Sequence, residues 1–327
     1  MRHPSGYCVY YDAEKLSNAS ANERPELLGS ILDGILKGDM QAGNTAYCLG
    51  RDLAGIPEES GPSGVSLETD TSHGKFSAAM SLKLVRDVRR LDGFLNAIKR
   101  WPEQEAVLDV GCGAFPILAL AATTYHPKAE VTAVEINPES ADSAEQLIRL
   151  FGLSDRVRTV NADIADLSID TNTTAAVTET FSAALHGEPG PKIVRLLHLG
   201  GVPIITPSAA ELCLGMPQDK FFQRVDLRHD THVSIPFERS PDAKFAEDWY
   251  SAADIKAAYY DDFGLVLPYD ADPISWGLPF EEKYALNRLL AKGAFSGELT
   301  YELGYHPFEP TIEAAASRTE QETVCSS

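Results

Sequence analysis

The chain is short of positive charge, of paired cysteines and of long apolar runs. Its 327 residues hold 28 Lys and Arg against 48 Asp and Glu, a formal net charge of −20. Such a field repels phosphate backbones and anionic headgroups and attracts cationic ligands, which argues against nucleic-acid or membrane partners. The five cysteines (Cys8, Cys48, Cys112, Cys213, Cys325) contain no Cys-x-x-Cys pair, so spacing offers neither a zinc site nor a disulfide framework. No window is long and apolar enough to span a bilayer, and no basic start precedes an apolar run at the N-terminus. The expectation is a cytoplasmic protein without a metal.

What is there is concentrated in one run, Val107-Leu-Asp-Val-Gly-Cys-Gly-Ala-Phe115. Alternating apolar positions make a short buried strand, and Gly111 and Gly113 open a tight turn before the apolar stretch 116–122, which reads as a helix. Glycines let backbone approach a ligand, and a helix N-terminus follows to receive it. Glu135 ends a second strand 24 residues past Gly111, where an acid suits a ribose diol. Asp109 before the first glycine, and Phe115 in place of a third, separate this pattern from the dinucleotide fingerprint. Strand-Asp-x-Gly-x-Gly followed by a strand-end Glu resembles the class I S-adenosylmethionine methyltransferases.

The surrounding sequence divides into four parts. Residues 1–72 read as a helical arm and linker. Leu27, Leu28, Ile31, Leu32, Ile35 and Leu36 form a wide apolar stripe, and residues 55–72 are rich in Gly, Pro, Ser and Thr. Residues 73–207 alternate helix and strand, with a helix expected over 76–100 and strands at 107–110, 131–135, 157–161, 175–179 and 202–206. That rhythm predicts a doubly wound parallel sheet whose ligands lie at the carboxyl ends of its strands. Residues 208–310 read as a β-rich, barrel-like unit with helical insertions near 243–260 and 280–290, and 311–327 as a disordered tail.

Two acids narrow the chemistry. Glu179 ends the fourth strand and Glu188 follows nine residues later, so two carboxylates bracket one loop at the ligand end of the sheet. Paired carboxylates suit a planar guanidinium, which offers five N–H donors. The loop resembles that of the protein arginine methyltransferases, in which a second Glu stands nine positions after the first. The resemblance implies that Glu179 and Glu188 hold an arginine side chain, and that Arg89 binds the methionine carboxylate of the cofactor. Asp109, Gly111, Gly113, Glu135 and Asp163 would complete the cofactor site, Asp163 as an adenine contact or simply a helix cap. The family's Thr-His-Trp loop is absent, with Ile274-Ser275-Trp276 in its place. That departure, with a short β unit, favours free arginine or a small arginine-containing metabolite over protein arginine.

Other readings stay open. Glu179 and Glu188 could be surface acids of an O-methyltransferase in natural-product assembly, or of a non-catalytic partner subunit. His186 reads as a loop residue. His229 and His232 would fall on opposite faces of a strand, so they are not read as metal ligands. Phe76 and Met80 could cover a substrate or pack in the core. The apolar stripe needs a partner surface, which is either a second copy in a homodimer or the chain's own β unit.

Overall fold

Val107, Val110, Val131, Val134 and Val157 lose nearly all exposure to solvent, and the strands that carry them form the centre of the molecule. The computed structural model describes residues 20, 23–53, 78, 81–82, 85–181, 185, 188–215, 220–238, 254–268, 286, 290, 296–304 and 309–314. Helices α1 (Glu23–Leu36), α2 (Met40–Leu53) and α3 (Val88–Arg100) come first. Strand β1 (Ala106–Val110), helix α4 (Ile117–Tyr125), β2 (Glu130–Glu135), α5 (Pro138–Leu150) and β3 (Val157–Asn161) follow. Then come β4 (Ala175–Thr178), α6 (Gly190–Leu199) and β5 (Ile204–Thr206).

These five strands pair in the order β3-β2-β1-β4-β5, all in parallel. Helix α4 is buried at every position from Ile117 to Thr123, as a helix wedged into a core must be. A three-residue turn of 3₁₀ helix, Ile164–Asp166, is the only regular element between β3 and β4.

The antiparallel part begins at once after β5. Strands β6 (Ala209–Gly215), β7 (Lys220–Asp226), β8 (His232–Glu238), β9 (Asp254–Asp261) and β10 (Gly264–Leu267) precede β11 (Ser296–Glu302) and β12 (Thr311–Ala314). They form one sheet ordered β10-β9-β6-β7 and another ordered β12-β11-β8. Two contacts fasten α3 to this unit. Arg100 Nη2 donates to Leu265 O at 3.1 Å, and a Cβ on Gly93 would lie 2.1 Å from Val266 O. Trp101 Nε1 donates to Thr206 Oγ1 at 3.0 Å, and that hydroxyl donates to Asp261 Oδ2 at 3.1 Å.

Several expectations need correction. The helix expected over 76–100 is interrupted, because Asp87 leaves helical geometry and caps a new helix by accepting from Arg90 N at 3.1 Å. Asp254–Asp261 is strand β9 where a helical insertion was expected, and it lies between β10 and β6 in the antiparallel sheet. Thr311–Ala314 pairs with β11 instead of belonging to a tail. Helix α2 carries a weak apolar stripe and has no counterpart in the sequence reading. The stripe of α1 is buried on its own chain, packed against α2, α3 and α4. Cys48 is disulfide-bonded, although spacing gave no sign of it, and Cys112 and Cys213 are free thiols. The 55–72 linker, Phe76, Met80, His186 and Ile274–Trp276 lie outside the described residues.

Candidate active site

The turn after β1 is built for close approach. Gly111 and Gly113 have φ of +77° and +67°, which side-chain-bearing residues rarely adopt. A Cβ on Gly111 would also strike Thr180, 2.5 Å away, so the turn and the loop after β4 touch here. Ser81 Oγ accepts from Ala114 N at 3.1 Å and joins the N-terminal helical segment to the same turn.

Glu135 ties this turn to the end of β2. Its Oε2 accepts from Gly113 N at 2.9 Å and its Oε1 from Asn137 N at 2.8 Å. Burial raises the carboxyl above its ordinary range, and the backbone N–H groups oppose that shift. Asp109 accepts from Ala119 N at 2.9 Å, which anchors helix α4 to β1. Desolvation, partly offset by the Ala119 N–H and reinforced by Glu135, pushes Asp109 to about 7.

A cavity of about 630 Å³ opens above these groups, within the range of small-molecule sites. Asp109, Gly111, Gly113, Glu135, Asp163, Glu179 and Glu188 all line it. Asp163 also caps the 3₁₀ turn, its Oδ1 accepting from Ala165 N at 2.9 Å.

Arg89 does not reach this cavity. It is exposed on the outer face of α3, in a separate groove with Asp92, Asn96 and Leu265. Its neighbour Arg90 takes the inner position, since one residue along a helix turns the side chain by roughly 100°. Arg90 is 5% exposed, lines the cavity and stands in one row with buried Phe94 and Ala97. That row, four and seven residues on, was the available signal for Arg90 over Arg89.

Arg90 pairs with Glu179, and its Nη2 donates to Phe181 O at 3.3 Å. Glu188 feels the charge of the same guanidinium, so one cation offsets two carboxylates. Burial outweighs that shared cation. Desolvation lifts Glu179 to about 8, opposed by Arg90 and reinforced by Glu188, and lifts Glu188 to about 7, opposed by Arg90. With both ionised, the three groups carry a surplus negative charge in a poorly solvated wall.

The described residues around the two acids are held from several sides. Leu185 is fully buried with φ of +65°, a costly conformation for a leucine, and its carbonyl accepts from Gly304 N at 2.7 Å. Gly190 N donates to Thr180 O at 2.8 Å, and a Cβ there would strike Phe181. Phe181 packs on Tyr259 of β9 with ring centroids 5.1 Å apart. Tyr259 feels Arg90, Glu188 and Glu179, so the antiparallel unit forms part of the site's electrostatic wall. Neither Tyr259 nor the cavity-lining Ser81, Ser140 and Lys192 was singled out in the sequence, where hydroxyls and a lone lysine carry no spacing signal.

Residues 107–201 match the model of a methyltransferase domain family. They form a class I methyltransferase domain, and the cofactor is S-adenosylmethionine. The glycine cradle, the backbone-held Glu135 and the cavity's size fit that molecule. No curated protein matches the chain. Among solved structures, the Trypanosoma brucei PRMT1 enzyme–prozyme heterotetrameric complex with AdoHcy aligns at TM-score 0.50 and 12% identity. That alignment covers 76% of this chain and 86% of that one. PRMT6–SAH aligns at TM-score 0.47 and 13% identity over 68% and 94%. Arabidopsis thaliana protein arginine methyltransferase 10 aligns at 0.33 and 23% over 39% and 38%. By the first of these alignments, the methyltransferase domain and its antiparallel partner share the fold of the Trypanosoma brucei structure. Among the described residues no helix is long and apolar enough to cross a membrane, and no cluster of three metal-ligating side chains occurs.

Proposed function

We propose that this protein methylates a guanidino nitrogen of arginine, taken as the free amino acid or a small arginine-containing metabolite. The observation that carries this reading is the buried trio of Glu179, Glu188 and Arg90 beside the glycine cradle. Two carboxylates against one resident guanidinium leave a charge that a second guanidinium would compensate. A neutral hydroxyl or an anionic carboxylate substrate would leave it uncompensated, which weighs against O-methylation.

In this reading Arg90, Asp109, Gly111, Gly113, Glu135 and Asp163 hold the cofactor, with Arg90 in the role first expected of Arg89. The bound cofactor supplies an electrophilic methyl group on a sulfonium. Glu179 and Glu188 orient the substrate guanidinium with one nitrogen towards that methyl, and their negative charge localises the cation's charge away from it. Either carboxylate would take up the proton that the methylated nitrogen must release.

The test pairs labelled cofactor with arginine, arginine peptides and a metabolite pool, using wild type, Glu179→Gln and Glu188→Gln. Gln keeps the shape and removes the charge, so both variants should bind S-adenosylhomocysteine normally and lose most guanidine turnover. Near-native turnover in both would sink the arginine reading. Binding without turnover of any guanidine by wild type would favour a non-catalytic partner subunit.

A further inference from the structure

Among the described residues, serine and threonine hydroxyls in helices follow a rule that one of them breaks. Ser30, Thr45, Ser81, Thr123, Thr124 and Ser143 each donate to a carbonyl three or four residues earlier in the chain. Ser140, in the first turn of α5, does not. Its Oγ is buried, with the residue 1% exposed, and has no hydrogen-bond partner among the described residues. Its backbone is satisfied, since Ser140 N and Glu139 N both donate to the Asn137 cap at 3.1 and 2.9 Å. Only the hydroxyl is left over, and it lines the same cavity as Glu135, Ala162 and Asp163.

A hydroxyl buried without a partner is costly, and native structures rarely keep one without a use. The chemistry of the neighbouring acid indicates the use. An ionised Glu135 is acceptor-only, so it accepts hydrogen bonds from the sugar hydroxyls and donates none. Each ribose oxygen that donates to it keeps lone pairs needing a donor, and an O–H supplies one. We propose that Ser140 is a cofactor-binding residue whose hydroxyl donates to a ribose oxygen that itself donates to Glu135. The proposal rests on the cofactor placement above and adds a contact to it.

Calorimetry with S-adenosylhomocysteine, together with melting of the cofactor-free protein, tests it. Ser140→Ala should weaken binding about three- to tenfold, the worth of one hydrogen bond. It should leave the cofactor-free melting temperature unchanged or higher, because the variant removes an unsatisfied hydroxyl and introduces a better helix former. With a 2′,3′-dideoxyribose analogue, wild type and Ser140→Ala should bind alike. Unchanged affinity for the natural ligand, a lower cofactor-free melting temperature, or a loss that persists with the analogue would each overturn the proposal. Glu135→Gln run in parallel separates the two levels. If that variant binds as wild type does, the cofactor placement itself is wrong.

Discussion

Arg90 and Glu179 form an ion pair whose side chains are only 6% and 11% exposed, and Glu188 feels the charge of the same guanidinium. The pair couples two halves of the site, since Arg90 belongs to a helix before the glycine turn and Glu179 to the end of the fourth strand. Breaking it by truncating the cation is more damaging than its Coulomb attraction suggests, because two carboxylates then remain buried without compensation.

Arg90→Ala should therefore cost about 3–5 kcal/mol of stability and abolish turnover. Arg89→Ala, one residue away on an exposed face, should change stability by less than about 0.5 kcal/mol and leave cofactor affinity intact. Denaturant melts and calorimetry with S-adenosylhomocysteine distinguish them. The triple change Arg90→Gln, Glu179→Gln, Glu188→Gln should regain part of the lost stability, since it removes the charges together. If Arg89→Ala is the variant that loses cofactor binding, the assignment of the inner position is wrong.

The raised carboxyl groups predict a pH dependence with a definite sign. Glu179 near 8 and Glu188 near 7 are protonated more readily in the folded chain than in the unfolded one. Their contribution to stability is complete below the unfolded carboxylate range and is lost as pH rises through about 7 to 8. Wild-type stability relative to Glu179→Gln/Glu188→Gln should accordingly decline across that interval. Turnover should do the opposite, because the ionised pair is the form that receives a cation, so kcat/KM climbs along a basic limb. The corresponding rise in kcat, measured at saturating arginine, should lie at lower pH because the bound cation stabilises the carboxylates. A flat profile between pH 6 and 9 would contradict this account.

The parallel sheet was legible because its strands are short and apolar and helices intervene between most of them. Strand β2 ends at Glu135 as expected, and β4 ends at Thr178, one residue short of the expected end at Glu179. Seven of the eight named site residues line one cavity for the same reason, since strand ends and turns fix their positions in space. Arg89 failed because adjacent arginines differ only in helical phase, and phase is set by the Asp87 cap, which a continuous helix hid. Strand β9 failed because Ala257, Ala258 and Lys256 are compatible with helix, and only pairing with β6 and β10 decides the state. The disulfide at Cys48 and the orphan hydroxyl of Ser140 depend on three-dimensional neighbours that spacing does not encode.

Two glycines in helices make a paired test of packing. Gly93 of α3 has Val266 O where a Cβ would go, at 2.1 Å, whereas Gly29 of α1 has nothing within 4 Å. Gly29→Ala should stabilise by about 0.5–1 kcal/mol through helix propensity alone. Gly93→Ala should destabilise despite the same propensity gain, by about 1–3 kcal/mol, because α3 must move away from β10. Chemical denaturation of both variants checks the signs. Equal stabilisation would mean that α3 and β10 are not held in contact.

The N-terminal helix offers the last prediction, because its apolar stripe has a different destination from either one first considered. Leu28, Ile31, Leu32 and Ile35 are at most 3% exposed, and they pack on α2, α3 and α4 of the same chain. A face so fully used has no area left to join a second copy. Leu32→Asp should therefore lower the melting temperature sharply, by burying an unpaired charge, without converting an oligomer into a stable monomer. Deletion of residues 1–53 should expose the outer surface of α3 and α4 and produce aggregation instead of a clean change in mass. Light scattering after size exclusion measures both. If the full chain is a homodimer and the deletion yields a soluble, folded monomer, the helix is a dimer contact and its intramolecular packing is not what stabilises the domain.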